Sequence, residues 1–258
     1  MKEICASASA GLSLLKHRPT VKVSRRWLLL GFSLLKLAVL LVLFVPLPAR
    51  SEQTVQFWPE VDTYFKLDPK FRLSFVATTT QEAGSTVGSE FGANLDIFVK
   101  PLFKLKRFTV FQLDESKSRL LTFTAGYHYL PSPDGSNESR ILLEATPRFP
   151  LNAGILISDR SRVDLRWISG DFSWRYRNRL TVERTFKIRS YHLSPYLQAE
   201  AYYDSSPEKW SRTTEDIGCI FPIRRRAEIE PYYQHMNDTA KSPNRRTHGI
   251  GVHLRLYF

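Results

Sequence analysis

From Thr247 to Phe258 the chain alternates without interruption: His248, Ile250, Val252, Leu254, Leu256 and Phe258 share one face, and Thr247, Gly249, Gly251, His253, Arg255 and Tyr257 share the other. Side chains of a β-strand point alternately to opposite sides, so this segment sets an apolar face against one medium and a polar face against another. The same period recurs upstream. Val55, Phe57, Pro59, Val61 and Phe65 oppose Gln56, Trp58, Glu60, Asp62 and Tyr64. Phe71, Leu73 and Phe75 oppose Arg72 and Ser74, and Phe91 to Val99, Leu121 to Tyr129 and Ile141 to Phe149 repeat the pattern. Val163, Leu165 and Trp167 oppose Arg160, Arg162, Asp164 and Arg166, and Phe172 to Val182 oppose Asp171, Arg175, Arg177, Arg179 and Glu183. Leu193 to Tyr203, Ile217 to Phe221 and Ala227 to Tyr233 complete the set, with Glu144, Glu200, Glu228 and Glu230 on polar faces.

Turn-forming residues separate these runs, among them Asp68-Pro69, Pro133-Asp134-Gly135, Asn152-Ala153-Gly154, Ser169-Gly170, Ser205-Ser206-Pro207 and the stretch from Asn237 to Arg246. Eleven strands are clear. Single-chain bacterial barrels have even strand numbers, so Leu105 to Leu113 is read as a weak twelfth, with ten strands as the fallback. The expected fold is all-β: one closed antiparallel transmembrane barrel with apolar side chains facing lipid and ionic ones facing an enclosed lumen. Tyr127, Tyr129, Trp167, Phe172, Trp174, Tyr203 and Tyr233 lie towards strand ends, where interfacial aromatic girdles form. A lipocalin-like soluble barrel alternates too, with the faces reversed, and is the competing architecture, held by an uncleaved N-terminal anchor.

The first fifth of the chain differs. Lys2, Lys16, Arg18, Lys22, Arg25 and Arg26 precede an apolar run from Trp27 to Val45, then Pro46-Leu47-Pro48-Ala49-Arg50-Ser51. This reads as a helical Sec-type signal peptide over residues 1–51, cleaved after Ser51, leaving residues 52–258 as the barrel. The formal charge is +12, but residues 1–51 hold eight Lys and Arg against one acid, so the remainder has 29 basic and 24 acidic residues. That small excess removes the main argument for nucleic-acid binding. Cys5 falls in the signal, which leaves Cys219 without an intramolecular disulfide partner; Ile217 and Phe221 at strand spacing mark it as a small outward-facing residue.

The terminal aromatic, with apolar residues at alternate positions before it, resembles the C-terminal recognition strand of bacterial outer-membrane barrels. The resemblance implies that Ile250, Val252, Leu254, Leu256 and Phe258 are an assembly signal read by the barrel assembly machinery. Trp58-Pro59-Glu60, Gly126-Tyr127, Asp159-Arg160-Ser161-Arg162, Arg175-Tyr176-Arg177-Asn178-Arg179, Glu200-Ala201-Tyr202-Tyr203 and Gly218 occur in an order and spacing similar to a bacterial family known as domain of unknown function 2490. The resemblance spans nearly all of residues 54 to 258. It implies a β-barrel of the outer-membrane type in a Gram-negative cell and carries no catalytic residues, substrate or cofactor.

Arg160, Arg162, Arg166, Arg175, Arg177 and Arg179 against Glu60, Asp62, Glu144, Asp164, Glu183, Glu200, Glu228 and Glu230 predict a lattice of paired charges filling the lumen. Near balance of sign favours a structural scaffold or a restricted small-solute channel over a strongly anion-selective pore. A barrel-embedded lipid hydrolase is the alternative function, yet no outward His and Ser stand together near one interface, so the chain is expected not to be an enzyme. No His or Cys pair has zinc spacing and no loop has calcium-type ligands, so neither metal nor other cofactor is expected. The expected partners are outer-membrane lipid, lipopolysaccharide and small anionic solutes.

Overall fold

The computed structural model describes residues 52–99, 113–189, 191–240 and 243–258. The expected signal peptide and its cleavage site, and residues 105–112 of the expected twelfth strand, lie outside them. Strands follow one another in chain order: β1 (Glu52–Lys66), β2 (Phe71–Glu82), β3 (Ser85–Phe98), β4 (Leu121–Leu130), β5 (Glu138–Pro150) and β6 (Ile155–Ile168). They continue as β7 (Asp171–Arg184), β8 (Phe186–Ile188), β9 (Tyr191–Asp204), β10 (Lys209–Arg224), β11 (Ala227–Asp238) and β12 (Arg245–Tyr257).

Eleven of these twelve strands form a closed barrel. β9 pairs with both β7 and β10, and the three-residue β8 hydrogen-bonds β9 alone, outside the ring. The eleven segments read from periodicity are the eleven ring strands. Twelve strands are present among the described residues, as expected, but the ring closes on eleven: β3 pairs directly with β4, from Phe91 against Tyr129 to Phe98 against Thr122, and the twelfth strand is β8 outside it.

An odd ring cannot be antiparallel throughout. Neighbours alternate in direction around the ring, so the closing pair, β1 with β12, is parallel, with Glu52 beside Arg245 and Tyr64 beside Tyr257. The start of β1 and the end of β12 therefore lie at opposite ends of the barrel. Phe258 extends the seam: its N–H donates to the Tyr64 carbonyl at 2.8 Å, and its carbonyl accepts from Lys66 at 3.1 Å.

The faces are as the alternation requires. Phe57, Val61, Phe75, Phe123, Leu143, Leu180, Leu197, Ile217 and Ile250 are exposed on the outer surface. Arg72, Asp96, Arg140, Arg162, Asp164, Glu183, Glu200, Glu228 and Glu230 are buried inside. A soluble barrel would bury the first set and expose the second, so the lipocalin-like arrangement is excluded by side-chain direction. Tyr127, Tyr129, Trp167, Phe172 and Trp174 lie on the outer surface towards the end away from Phe258, with the Tyr203 ring tilted 5.6 Å from Trp174, whereas Tyr233, opposite Ile250, falls mid-strand and outside any girdle.

Inside, glycines make room for rings. A Cβ at Gly249 would collide with Trp58, one at Gly251 with Tyr232, one at Gly218 with Tyr196 and one at Gly92 with His128. In the last three pairs the glycine is the cross-strand partner of the ring it accommodates, so a flat ring lies over bare backbone and the lumen wall stays dense.

Candidate functional site

The lumen contains a cavity of about 460 Å³ lined by all eleven ring strands. Eight Arg and Lys side chains meet nine Asp and Glu side chains on its wall. Each sign is concentrated on one side, although Glu144 and Glu183 stand among the bases and Arg255 among the acids. Arg148, Arg160, Arg162, Arg177 and Arg179 project from the adjacent strands β5, β6 and β7, whereas Glu60, Asp62, Asp216 and Glu230 project from β1, β10 and β11.

On the basic side the charges are tied together by hydrogen-bonded pairs. Glu200 receives Arg160 at 2.8 Å, Arg177 at 2.8 Å and Arg179 at 2.7 Å, and the Tyr202 hydroxyl at 2.8 Å. Arg162 donates to Asp164 at 2.5 Å, and Arg177 lies 3.9 Å from the same carboxylate. Arg160 also reaches Glu144 at 3.6 Å. Arg166 and Arg175 turn towards acids that the sequence reading had left outside the lattice: Arg166 meets Glu138 at 2.7 Å, and Arg175 meets Asp204 at 2.5 Å. Glu230 is paired with Arg255. Among the described residues Glu228 forms no ion pair with an arginine; it accepts from the Tyr257 hydroxyl at 2.9 Å and from the Leu113 N–H at 2.9 Å.

That last bond belongs to a feature with no periodic signal in sequence. At the Phe258 end a single 3-10 turn, Glu115–Ser118, sits inside the ring, capped by the Asp114 carboxylate accepting from the Ser116 N–H at 2.9 Å. The turn is tied to strands on several sides of the ring. Asp114 pairs with Arg72 of β2 at 2.6 Å, Lys117 with Glu183 of β7 at 2.6 Å, and Arg148 of β5 donates to the Ser116 hydroxyl at 3.2 Å. Arg72 also holds Asp96 at 2.7 Å and stacks over Tyr64 at 4.3 Å. Burial alone would raise the Asp114 carboxyl; Arg72, Arg148 and Lys117 around it hold it well below the usual carboxylate range instead.

Four of the histidines separate into two settings. His128 is buried in the lumen between Glu90 and Asn94, and His253 lies there beside Glu60 and Asp62. His235 and His248 face outwards with ring centroids 4.7 Å apart, and the group in hydrogen-bond reach of His248 Nδ1 is the Tyr233 hydroxyl at 2.6 Å, not a serine.

Alternating strands closed into a ring, apolar outside and ionic within, define a membrane-spanning β-barrel. The chain belongs to the family described as protein of unknown function DUF2490, whose profile matches residues 55–247. A search of curated proteins gave no match. Among solved structures it is similar to a bacterial polysaccharide outer membrane secretin, at 7% identity and a TM-score of 0.44, over 72% of this chain and 64% of that one. It thus spans less than two thirds of that structure's length. It is also similar to the NanC porin, at 13% identity and a TM-score of 0.42, over 67% of this chain and 78% of the other.

Proposed function

We propose that the protein is a non-catalytic outer-membrane barrel serving as a restricted channel for small solutes, its lumen narrowed by ion pairs and obstructed at the Phe258 end by the turn from Leu113 to Ser118. The lipid-facing apolar belt supports the location, since an exported barrel of this kind is stable only where its outer face meets acyl chains. The observation that carries the reading is the set of ties from Asp114 and Lys117 to Arg72 and Glu183, which hold backbone across the lumen. Nearly equal numbers of acids and bases on the cavity wall leave no surplus of one sign to drive strong ion selectivity. Lipopolysaccharide around the barrel and recognition of Ile250, Val252, Leu254, Leu256 and Phe258 by the assembly machinery complete the proposal.

Reconstitution in planar bilayers tests it. The wild type conducts poorly and is only weakly anion-selective, and Asp114→Asn with Lys117→Ala raises single-channel conductance several-fold by releasing the turn. Large, stable channels in the wild type would remove the obstruction from the account.

A further inference from the structure

We propose that Glu60, Asp62 and His253 form a binding site for a divalent transition-metal ion, of which zinc is the best chemical match, spanning the closing seam of the barrel. Glu60 and Asp62 stand two residues apart on β1 and so share its inward face, and His253 of β12 is the register partner of Glu60. Sequence spacing conceals the group, because its members are almost two hundred positions apart and meet only where the ring closes.

The geometry suits an ion. His253 Nε2 lies 3.0 Å from an Asp62 oxygen and 3.3 Å from a Glu60 oxygen, and one donor atom from each residue falls within 4.8 Å of the others. Tetrahedral zinc with bonds to nitrogen and oxygen near 2.0–2.2 Å places neighbouring donors about 3.3 Å apart. The donors are also under-used. The Asp62 and His253 side chains are each 9% exposed. Yet Asp62 Oδ1 has no hydrogen-bond partner, and His253 Nε2 is not aligned for a hydrogen bond with either neighbouring carboxylate. An unmade hydrogen bond on a buried group costs free energy, which a metal ion bound at His253 Nε2 would recover, and Asp62 keeps its free Oδ1 as a further ligand atom. Asp62 Oδ2, the oxygen 3.0 Å from His253 Nε2, also accepts from the Tyr64 hydroxyl at 2.8 Å, a contact that fixes the orientation of the carboxylate.

Charge agrees. The neighbouring cation, Arg255, is already paired with Glu230, so the Glu60 and Asp62 carboxylates keep a local excess of negative charge that a divalent ion balances. All three donors line the central cavity, and Glu60, the least covered at 26% exposure, leaves an approach for an ion and a fourth position for water. A bound ion would clip β1 to β12 across the one parallel pair in the ring.

The test uses the full barrel refolded in detergent, stripped with chelator and titrated with Zn²⁺ alone by calorimetry. One equivalent binds saturably. His253→Gln and Asp62→Asn weaken binding by about a hundredfold or more, on the scale of lost ligand interactions, while His128→Gln, which alters the other buried lumen imidazole, leaves it unchanged. Mobility of unheated samples on gels checks that each variant is folded. In the wild type, Co²⁺ supplied in place of Zn²⁺ gives the intense visible bands of a four-coordinate ion, and Zn²⁺ abolishes them. No saturable binding, wild-type affinity in His253→Gln, or absent Co²⁺ bands would overturn the site; the Co²⁺ result decides even where a variant fails to fold.

Discussion

Glu200 shows how a single side chain organises the lumen. Its carboxylate is fully buried and faces the guanidinium groups of Arg160, Arg177 and Arg179, whose mutual repulsion it offsets. Removing one partner of a buried charge group leaves the others uncompensated, so Glu200→Gln should destabilise the barrel by about 3–5 kcal/mol, towards the lower figure where lumen water screens the arginines. Urea unfolding in micelles measures it, and adding Arg179→Gln to the same chain should recover part of the loss. Gly249 makes the opposite demand, for absence of bulk. A methyl group there would sit inside the Trp58 ring, so Gly249→Val should cost about 1–3 kcal/mol by overpacking and move Trp58 to a wetter setting, read as a red shift in its fluorescence. Unchanged emission and stability would mean that the ring has room to withdraw.

Strands differ in what they hold together. β8 contributes pairing to β9 alone, so Lys187→Pro should change stability by no more than about 0.5 kcal/mol. Ala199→Pro removes an N–H from β9, which is paired on both sides, and should prevent the compact form that migrates fast on gels before boiling. Equal effects of the two substitutions would place β8 within the ring. The β1–β12 seam combines several kinds of contact: the parallel ladder, the Phe258 backbone bonds, Phe258 stacked on Phe65 at 5.3 Å and Tyr64 stacked on Tyr257 at 5.1 Å. Parallel pairs are slightly weaker per residue than antiparallel ones, so these stacked rings reinforce the ladder where it most needs support.

The barrel and its inserted turn together respond to acid in a defined direction. The Asp114 carboxyl is held below its unfolded value, so its pairing with Arg72 contributes in full above the ordinary carboxylate range and is lost only as pH falls through the lowered folded value. Wild-type conductance should therefore stay low from neutrality down to the ordinary carboxylate range and rise only in stronger acid. Asp114→Asn, which has no such group to protonate, should lack this step. A rise in wild-type conductance already at mildly acidic pH would assign the closure to groups other than Asp114.

Most of the architecture was legible in the order of residues. A period of two assigns every strand face without reference to neighbours, and the medium outside follows once the ionic face is too dense to be a solvated surface and the apolar face too continuous to be exposed to water. Twelve strands are present among the described residues, but how many of them enter the ring is not written in the alternation: hydrogen-bond ladders close a ring of either parity when one pair runs parallel, and here eleven do, with β8 outside. The pairing of Arg166 with Glu138 and of Arg175 with Asp204 depends on shear between strands, which no local pattern encodes. The turn at Asp114 and the meeting of Glu60 and Asp62 with His253 lay further from reach. Alternation is a property of neighbouring residues, and so the chain carries it openly; which distant side chains meet depends on how the ring closes, and only the folded barrel decides that.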